Sequence, residues 1–121
     1  MADAKTLSEQ AVRRVLSEVP ALEPLKLVVG LELRGRGDTQ LYRVEMPGPK
    51  VTKVVPSDAS VSVSVSRSHF NVLAEKGRVR DWREAFETGQ ARATGPTEIL
   101  RLIQNVVERQ EERARTRRAR H

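Results

Sequence analysis

The fold is decided by residues 58–95, which read DASVSVSVSRSHFNVLAEKGRVRDWREAFETGQARATG. This stretch opens with Val61, Val63 and Val65 alternating with serines. Successive side chains of a strand point to opposite faces. The alternation therefore predicts a strand whose valine face covers a core and whose serine face meets water.

Helical spacing begins directly after this strand. Phe70, Leu73 and Ala74 recur at i, i+3 and i+4, and Gly77 is expected to end the helix that they define. A second short helix is expected to begin at Asp81, with Glu84 in the capping-box position. Its apolar residues are Trp82, Ala85 and Phe86, and a last short strand is expected between Gly89 and Gly95.

This order of elements resembles the sterol carrier protein 2 family of lipid-binding domains. The family pattern is an acidic residue, an alternating strand, Ser-Arg, a helix ending in Gly, a short Ala-Phe helix, Gly-x-x-x-x-x-Gly and a last helix. The positions that carry the resemblance are Asp58, Val61 to Val65, Ser66-Arg67, Phe70, Gly77, Ala85-Phe86, Gly89 and Gly95. The close match covers about half of the chain, and the element order fits nearly all of it.

One helix and three strands are expected before this stretch. The helix spans residues 7–19, with Thr6 and Glu9 as its capping box, and the prolines at 20 and 24 are expected to end it. Alternating residues predict strands over 27–35, 40–46 and 51–55. Together with the resemblance, these elements predict an α+β fold with a five-stranded, mainly antiparallel sheet and helices packed on one face.

The last helix is expected after Gly95, with Pro96 in its first turn. No apolar residue larger than alanine follows Val107, so the packed helix is expected to end near that residue. We therefore divide the chain into a domain of residues 1–110 and a basic, disordered tail of residues 111–121.

The sequence contains no recognisable catalytic or metal-binding pattern. The chain has no cysteine and only two histidines, His69 and His121, too few for a usual zinc site. No nucleophile elbow, nucleotide-binding loop or dinucleotide fingerprint is present, and the glycines at 35 and 37 lie in a turn that joins two strands. We expect no catalytic residue, no metal and no cofactor, and we rank an enzyme below the binding functions.

The resemblance implies an apolar tunnel for fatty acyl chains, sterols or similar lipids between the sheet and the helices. The same side chains are also compatible with a filled core. Ala91 and Ala93 occupy positions where the family usually has larger apolar residues, which would either widen the cavity or thin the core. The expected ligand-binding residues are Phe70, Leu73, Trp82, Phe86, Ala91, Ile99, Leu102, Ile103 and Val106.

Most of the net charge of +6 lies at the C-terminus, in Arg113, Arg115, Arg117, Arg118 and Arg120. This tail has three interpretations: a solvated end, transient contact with an anionic membrane surface, or non-specific contact with nucleic acid, which is disfavoured because no aromatic residues accompany the arginines. No apolar run approaches a membrane span, and the start of the chain lacks a secretory pattern, so a cytoplasmic location is expected.

The sequence therefore predicts a non-enzymatic protein that binds or transfers an apolar ligand. The alternative is an accessory or protein-interaction domain of the same fold with a closed cavity, with dimerisation and oligomeric state left open. Few apolar side chains are expected to hold residues 68–89, so we expect this segment to open and admit the ligand.

Overall fold

The computed structural model describes residues 3–119, and the side chains of residues 3–116, as a five-stranded sheet with four α-helices. The helices are α1 (Ala4–Glu18), α2 (Arg67–Lys76), α3 (Val79–Glu87) and α4 (Thr97–Ala119), and a 3-10 helix spans Pro20–Leu25. The strands are β1 (Val28–Arg34), β2 (Thr39–Glu45), β3 (Lys50–Thr52), β4 (Val61–Ser66) and β5 (Ala91–Thr94).

The strands lie in the order β3-β2-β1-β4-β5. Only β1 and β4 pair in parallel, with Leu31 opposite Val63 and Leu33 opposite Val65. The other three pairs are antiparallel. The predicted α+β fold, with a mainly antiparallel sheet and helices on one face, is confirmed.

The core lies between the valine and leucine face of the sheet and the helices. Leu33, Val65 and Phe70 are at most 1% exposed, and α2 adds Leu73 and Ala74 to the same cluster. The predicted strand facings agree with this burial, because Tyr42 and Val44 of β2 and Val61 and Val65 of β4 are buried. Strand β3 is shorter than expected, and Val54 and Val55 beyond it are exposed.

The opposite face of the sheet is partly covered by the connection from β3 to β4. Arg43 of β2 donates to the carboxylate of Asp58, with Nε–Oδ1 at 2.9 Å and Nη2–Oδ2 at 2.8 Å. Pro56 packs over Gly30, where an added Cβ would lie 2.8 Å from the proline Cγ. Gly30 therefore lets the connection approach the sheet closely.

The N-terminal caps of α1 and α3 differ from those predicted. The side chain of Asp3, not Thr6, caps α1 by accepting the Thr6 N–H at 2.8 Å. Helix α3 begins at Val79 rather than at Asp81, and its capping carboxylate is Asp81, which accepts the Arg78 N–H at 2.8 Å. Asp3 in α1 and Asp81 in α3 therefore cap free amides at the helix start, in place of the predicted Glu9 and Glu84.

A carboxylate from another element completes the start of α3. Glu18, the last residue of α1, accepts the Val79 N–H at 3.0 Å. Its second oxygen lies 3.4 Å from Arg78 Nε. Because a helix N-terminus favours negative charge, this contact fixes α3 against α1. No local sequence pattern predicts it, since the two residues are separated by more than half of the chain.

The prolines after α1 shape a further helical turn instead of an irregular loop. Pro20–Leu25 forms the 3-10 helix, which the sequence pattern did not predict. Its Leu22 is 4% exposed and joins Val19 and Val79 in a second, smaller apolar cluster. This cluster is where α4 packs, through Ile103, Val106 and Val107.

Helix α4 continues beyond the point expected from its apolar residues, reaching Ala119. Glu108 and Glu111 of this helix both pair with Arg83 of α3, so polar contacts hold it past Val107. The expected end of the packed helix near Val107 was therefore wrong by about one turn. The division into a domain of residues 1–110 and a tail of residues 111–121 stays a prediction.

Across residues 3–119, no helix combines the length and the apolar character that crossing a membrane requires.

Candidate functional site

An apolar cavity of about 800 Å³ lies between the inner face of the sheet and the helices. Its floor is formed by the apolar residues of β1, β2 and β4, including Leu31, Val44 and Val63. Helix α1 contributes Ala11 and Val15 on one side. Clefts of this size with mostly apolar walls are the usual form of small-molecule sites in proteins.

The far wall of the cavity is formed by α3, β5 and α4. Trp82 and Phe86 of α3 and Ala91 and Ala93 of β5 all line it. The lining residues of α4 are Leu100, Ile103, Gln104, Val107 and Glu108. Phe86 is 36% exposed and Ala93 is exposed, so the cavity meets solvent where α3 and β5 approach each other.

Helix α4 packs on both apolar clusters around the cavity. Ile103, Val106 and Val107 pack against the second cluster of Val19, Leu22 and Val79, and Ile99 and Ile103 pack against the larger cluster on the sheet and α2. The small side chains of Ala91 and Ala93 leave the space between β5 and α4 unfilled. The departure from the family pattern at these two positions therefore coincides with open volume.

Five of the nine predicted ligand-binding residues line this cavity: Phe70, Trp82, Phe86, Ala91 and Ile103. Four do not. Leu73 is buried in the core, Ile99 and Val106 are half-buried against the two apolar clusters, and Leu102 is 46% exposed. That the five lining residues contact a ligand stays a prediction.

The predicted and the observed cavity-lining residues of α4 differ by one position along the helix. The cavity-lining residues recur at i, i+3, i+4, i+7 and i+8 from Leu100, one position later than the apolar stripe that starts at Ile99. The lining therefore includes the polar residues Gln104 and Glu108, which lie outside the apolar stripe. The residues of β1, β2 and β4 that form the floor were recognised as apolar, but they are not among the nine predicted ligand-binding residues.

Charged residues are concentrated at the α3–α4 side of the cavity. Arg83, which lines the cavity, has Nε 3.5 Å from Glu87 Oε1 and Nη2 3.5 Å from Glu108 Oε1. Its third guanidinium nitrogen pairs with Glu111. Gln104 Nε2 donates to Glu108 at 3.2 Å. We call Arg83, Glu87, Glu108 and Glu111 the mouth cluster.

The groups with resolved pKa shifts lie away from this cavity. The hydrogen bonds between Arg43 and Asp58 lower the pKa of Asp58 and raise the pKa of Arg43. The Thr6 amide lowers the pKa of Asp3 in the same way. All three groups form structural contacts on the outer face of the sheet or at a helix start.

His69 is not placed for chemistry at the cavity. It lies in the first turn of α2, where its backbone N–H donates to Ser66 Oγ at 3.3 Å. It lines a separate shallow groove with Ser68 and Val72. Within residues 3–119, no three His, Asp or Glu side chains are grouped as a metal site requires.

No family model and no curated protein matches this sequence. Solved structures do match. The palmitated sterol carrier protein 2-like 2 of Aedes aegypti is 18% identical with a TM-score of 0.55, covering 82% of this chain and 92% of its own. Sterol carrier protein domain 2 of Helicoverpa armigera is 14% identical with a TM-score of 0.57, covering 88% and 83%.

A third match is sterol carrier protein 2 of Aedes aegypti in complex with the C16 fatty acid palmitate. It is 11% identical with a TM-score of 0.54, covering 88% of this chain and 96% of its own. The resemblance predicted from residues 58–95 is thereby confirmed, and the chain has a sterol carrier protein 2-like fold.

Proposed function

We propose that this chain binds an apolar ligand, such as a fatty acyl chain, a sterol or a similar lipid, in the cavity between its sheet and α4, and carries it without chemical change. The observation that carries the proposal is the apolar cavity of about 800 Å³. The similar Aedes aegypti structures that contain palmitate support the same class of ligand.

Burial of the ligand supplies enough free energy without polar chemistry. Each methylene moved from water into an apolar site contributes about 0.8 kcal/mol, so about ten methylenes contribute about 8 kcal/mol. Part of this offsets the lost freedom of the ligand, which costs at least about 4 kcal/mol. The remainder, at most about 4 kcal/mol, corresponds to a Kd of about 1 mM at best, and each further buried methylene lowers the Kd about fourfold.

The cavity favours a carrier over an interaction domain with a closed interior, because it is open beside Phe86 and Ala93. Its lining also favours a carrier over an enzyme. The charged side chains that line it on α3 and α4 are Arg83, Glu87 and Glu108, and these are paired with one another.

The purified protein tests the proposal directly. Extraction with organic solvent followed by mass spectrometry should recover a lipid in near-stoichiometric amount, or the emptied protein should take up an added acyl probe. Clean extracts together with no uptake would refute the carrier function.

A pair of tryptophan substitutions on α4 localises the ligand. Ile103→Trp should fill the cavity and reduce uptake of a radiolabelled fatty alcohol by at least about tenfold. Leu102→Trp is the matched control, because Leu102 is exposed and lies outside the cavity lining. It should leave uptake unchanged.

The melting temperature (Tm) of the Ile103→Trp variant shows whether the tryptophan enters the cavity or overpacks the core. Overpacking typically costs about 1–3 kcal/mol, whereas a side chain that enters empty space costs less. We expect Ile103→Trp to change Tm by less than about 4 °C. A larger fall in Tm with normal uptake would show that Ile103 is ordinary core.

A further inference from the structure

Helix α3 is fixed to the rest of the molecule at its first residue. The Val79 N–H donates to Glu18 Oε2 at 3.0 Å, and the Val79 side chain is buried in the second apolar cluster. Just before α3, Arg14 Nη1 donates to the carbonyl oxygen of Gly77 at 3.2 Å. Because Arg14 and Glu18 lie one turn apart on α1, a single helix holds both the α2–α3 junction and the start of α3.

The position of Glu18 is not explained by α1 itself. Glu18 is the last residue of that helix, where the helix dipole disfavours negative charge, and the last turn of α1 has no basic residue. Its partner is equally unusual, because Arg78 at the N-cap of α3 has no side-chain acceptor for the free amides. Contact between α1 and α3 resolves both anomalies, so the start of α3 is a firm attachment.

The other end of α3 is held by less apolar contact and by charge. Ala85 is the one buried residue in the second half of this helix, and Phe86 is 36% exposed beside the opening of the cavity. Arg83 connects this half to α4, since its Nη2 lies 3.5 Å from Glu108 Oε1 and its Nη1 pairs with Glu111. The two ends of α3 are therefore attached in different ways.

From this arrangement we infer that α3 is a lid that pivots at its start, on Gly77 and Arg78, and is fastened at its other end to α4 by Arg83. Gly77 and Arg78 are the two residues between α2 and α3, and both have extended backbone. Small changes in their dihedral angles swing the helix that follows. Release of the Arg83 contacts frees the Phe86 end and widens the cavity opening, while the Glu18 contact stays in place.

The fastening acts on rates rather than on affinity. The inference rests on the proposed function, because it assigns the rate of ligand entry and exit to the contacts of Arg83 with α4. Weaker contacts let the lid open more often, which raises the entry and exit rate constants together. The Kd is the ratio of these constants and therefore changes little.

Release of dodecan-1-ol, which is uncharged, tests the role of Arg83. Excess neutral phosphatidylcholine vesicles capture the released alcohol, and the fluorescence of Trp82, the only tryptophan and a cavity-lining residue, follows the release. Arg83→Met removes the guanidinium and keeps the apolar part of the side chain. We expect at least about threefold faster release than from the native chain at about 0.1 M salt, with a Kd within about twofold. Arg80→Met is the matched control, because Arg80 is exposed on the same helix, and it should change neither quantity.

A second pair of variants tests the fastening from α4. Glu111 pairs with Arg83 but lies outside the cavity lining, and Glu112 beside it is exposed. Glu111→Ala should therefore speed release without altering the cavity wall, and Glu112→Ala should not. Raising the salt from about 0.1 M to about 1 M shortens the screening length from about 10 Å to about 3 Å. The higher salt should speed release from the native chain relative to release from Arg83→Met.

Amide hydrogen exchange locates the pivot. In Arg83→Met the amides of Ala85 and Phe86 should exchange faster than in the native chain, whereas the Val79 amide, held by Glu18, should keep its native rate. Equal acceleration at Val79, unchanged release from Arg83→Met, or faster release with an equal rise in Kd would each overturn the inference and leave the carrier function intact. If dodecan-1-ol does not bind to the native chain, the proposed function itself fails.

Discussion

Asp58 shows how one residue of the family pattern acts in this structure. It is exposed and lies on the outer face of the sheet, and its carboxylate accepts two guanidinium nitrogens of Arg43. This contact joins the β3–β4 connection to the central part of the sheet, beside the close approach of Pro56 to Gly30. The acidic residue therefore has a structural role distant from the cavity.

The Asp58–Arg43 pair should give a pH-dependent contribution to stability. Arg43 lowers the pKa of Asp58, so the contribution is present above the ordinary aspartate pKa of about 4 and is lost as pH falls through the lower folded value. We expect Asp58→Asn to lower Tm at about pH 7, and we expect the Tm difference from the native chain to shrink as the pH falls below about 4. A Tm difference that persists unchanged in acid would show that the pair does not stabilise through charge.

The two short helices differ in how firmly they are held. Helix α2 inserts Phe70, Leu73 and Ala74 into the main core, each at most 5% exposed. Helix α3 fully buries only Val79 and Ala85; its other contacts are the half-buried Trp82, whose ring centroid lies 6.1 Å from that of Phe70, the Glu18 cap and the mouth cluster. The expectation that all of residues 68–89 is weakly held was therefore wrong for α2, because its apolar side is fully packed.

Helix α3 is the element that we expect to open for the ligand. Regions with few buried apolar contacts exchange their amide hydrogens through local openings that precede global unfolding. In the empty protein, amides of α3 should exchange at least about tenfold faster than those of α2, and bound lipid should slow the exchange of α3. Equal protection of α3 with and without lipid would remove α3 as the gate.

Charge is distributed unevenly over the whole molecule. The arginine-rich end of α4 carries Arg113 and Arg115 on exposed positions, beyond the last contact to α3 at Glu111. The side chains of Arg117 and Arg118, and all of Arg120, lie outside the described residues. Five arginines without an acid among them would attract an anionic membrane, with about 1 kcal/mol for each cation near the surface.

Removing this end should alter exchange with membranes but not the fold. A chain that ends at Glu112 keeps the Arg83–Glu111 pair and should match the full chain in Tm and in lipid affinity. It should exchange lipid with anionic vesicles several-fold more slowly at about 0.1 M salt, and the difference should vanish at about 1 M, where screening shortens to about 3 Å.

Neutral vesicles are the control for this comparison, and both chains should behave alike with them. If the full chain ignores anionic vesicles but binds RNA or DNA at physiological salt, the membrane interpretation of the tail is wrong. If truncation after Glu112 unfolds the domain, the end of α4 contributes to its core.

Local residue patterns were sufficient to predict the order of the α-helices and strands and the facing of β1, β2 and β4. The alternation around Val63 and Leu31, and the helical spacing around Phe70, are local signals, because the period of side-chain direction is a property of the backbone. Gly89, with a φ of 80°, ends α3 as its position predicted, since this conformation favours glycine. Taken in order along the chain, these signals were sufficient to predict the fold class and the resemblance to the sterol carrier protein 2 family.

The location of the cavity depends on tertiary packing, which local patterns do not contain. Whether Leu100 or Leu102 borders the cavity depends on how α4 is rotated on the cluster of Val19, Leu22 and Val79, contacts that join distant parts of the chain. The mouth cluster likewise combines Arg83 with residues of α4 that a search for apolar positions passes over. A periodic pattern shows that a helix has an apolar side, but the packing of the other elements determines whether that side meets core, cavity or solvent.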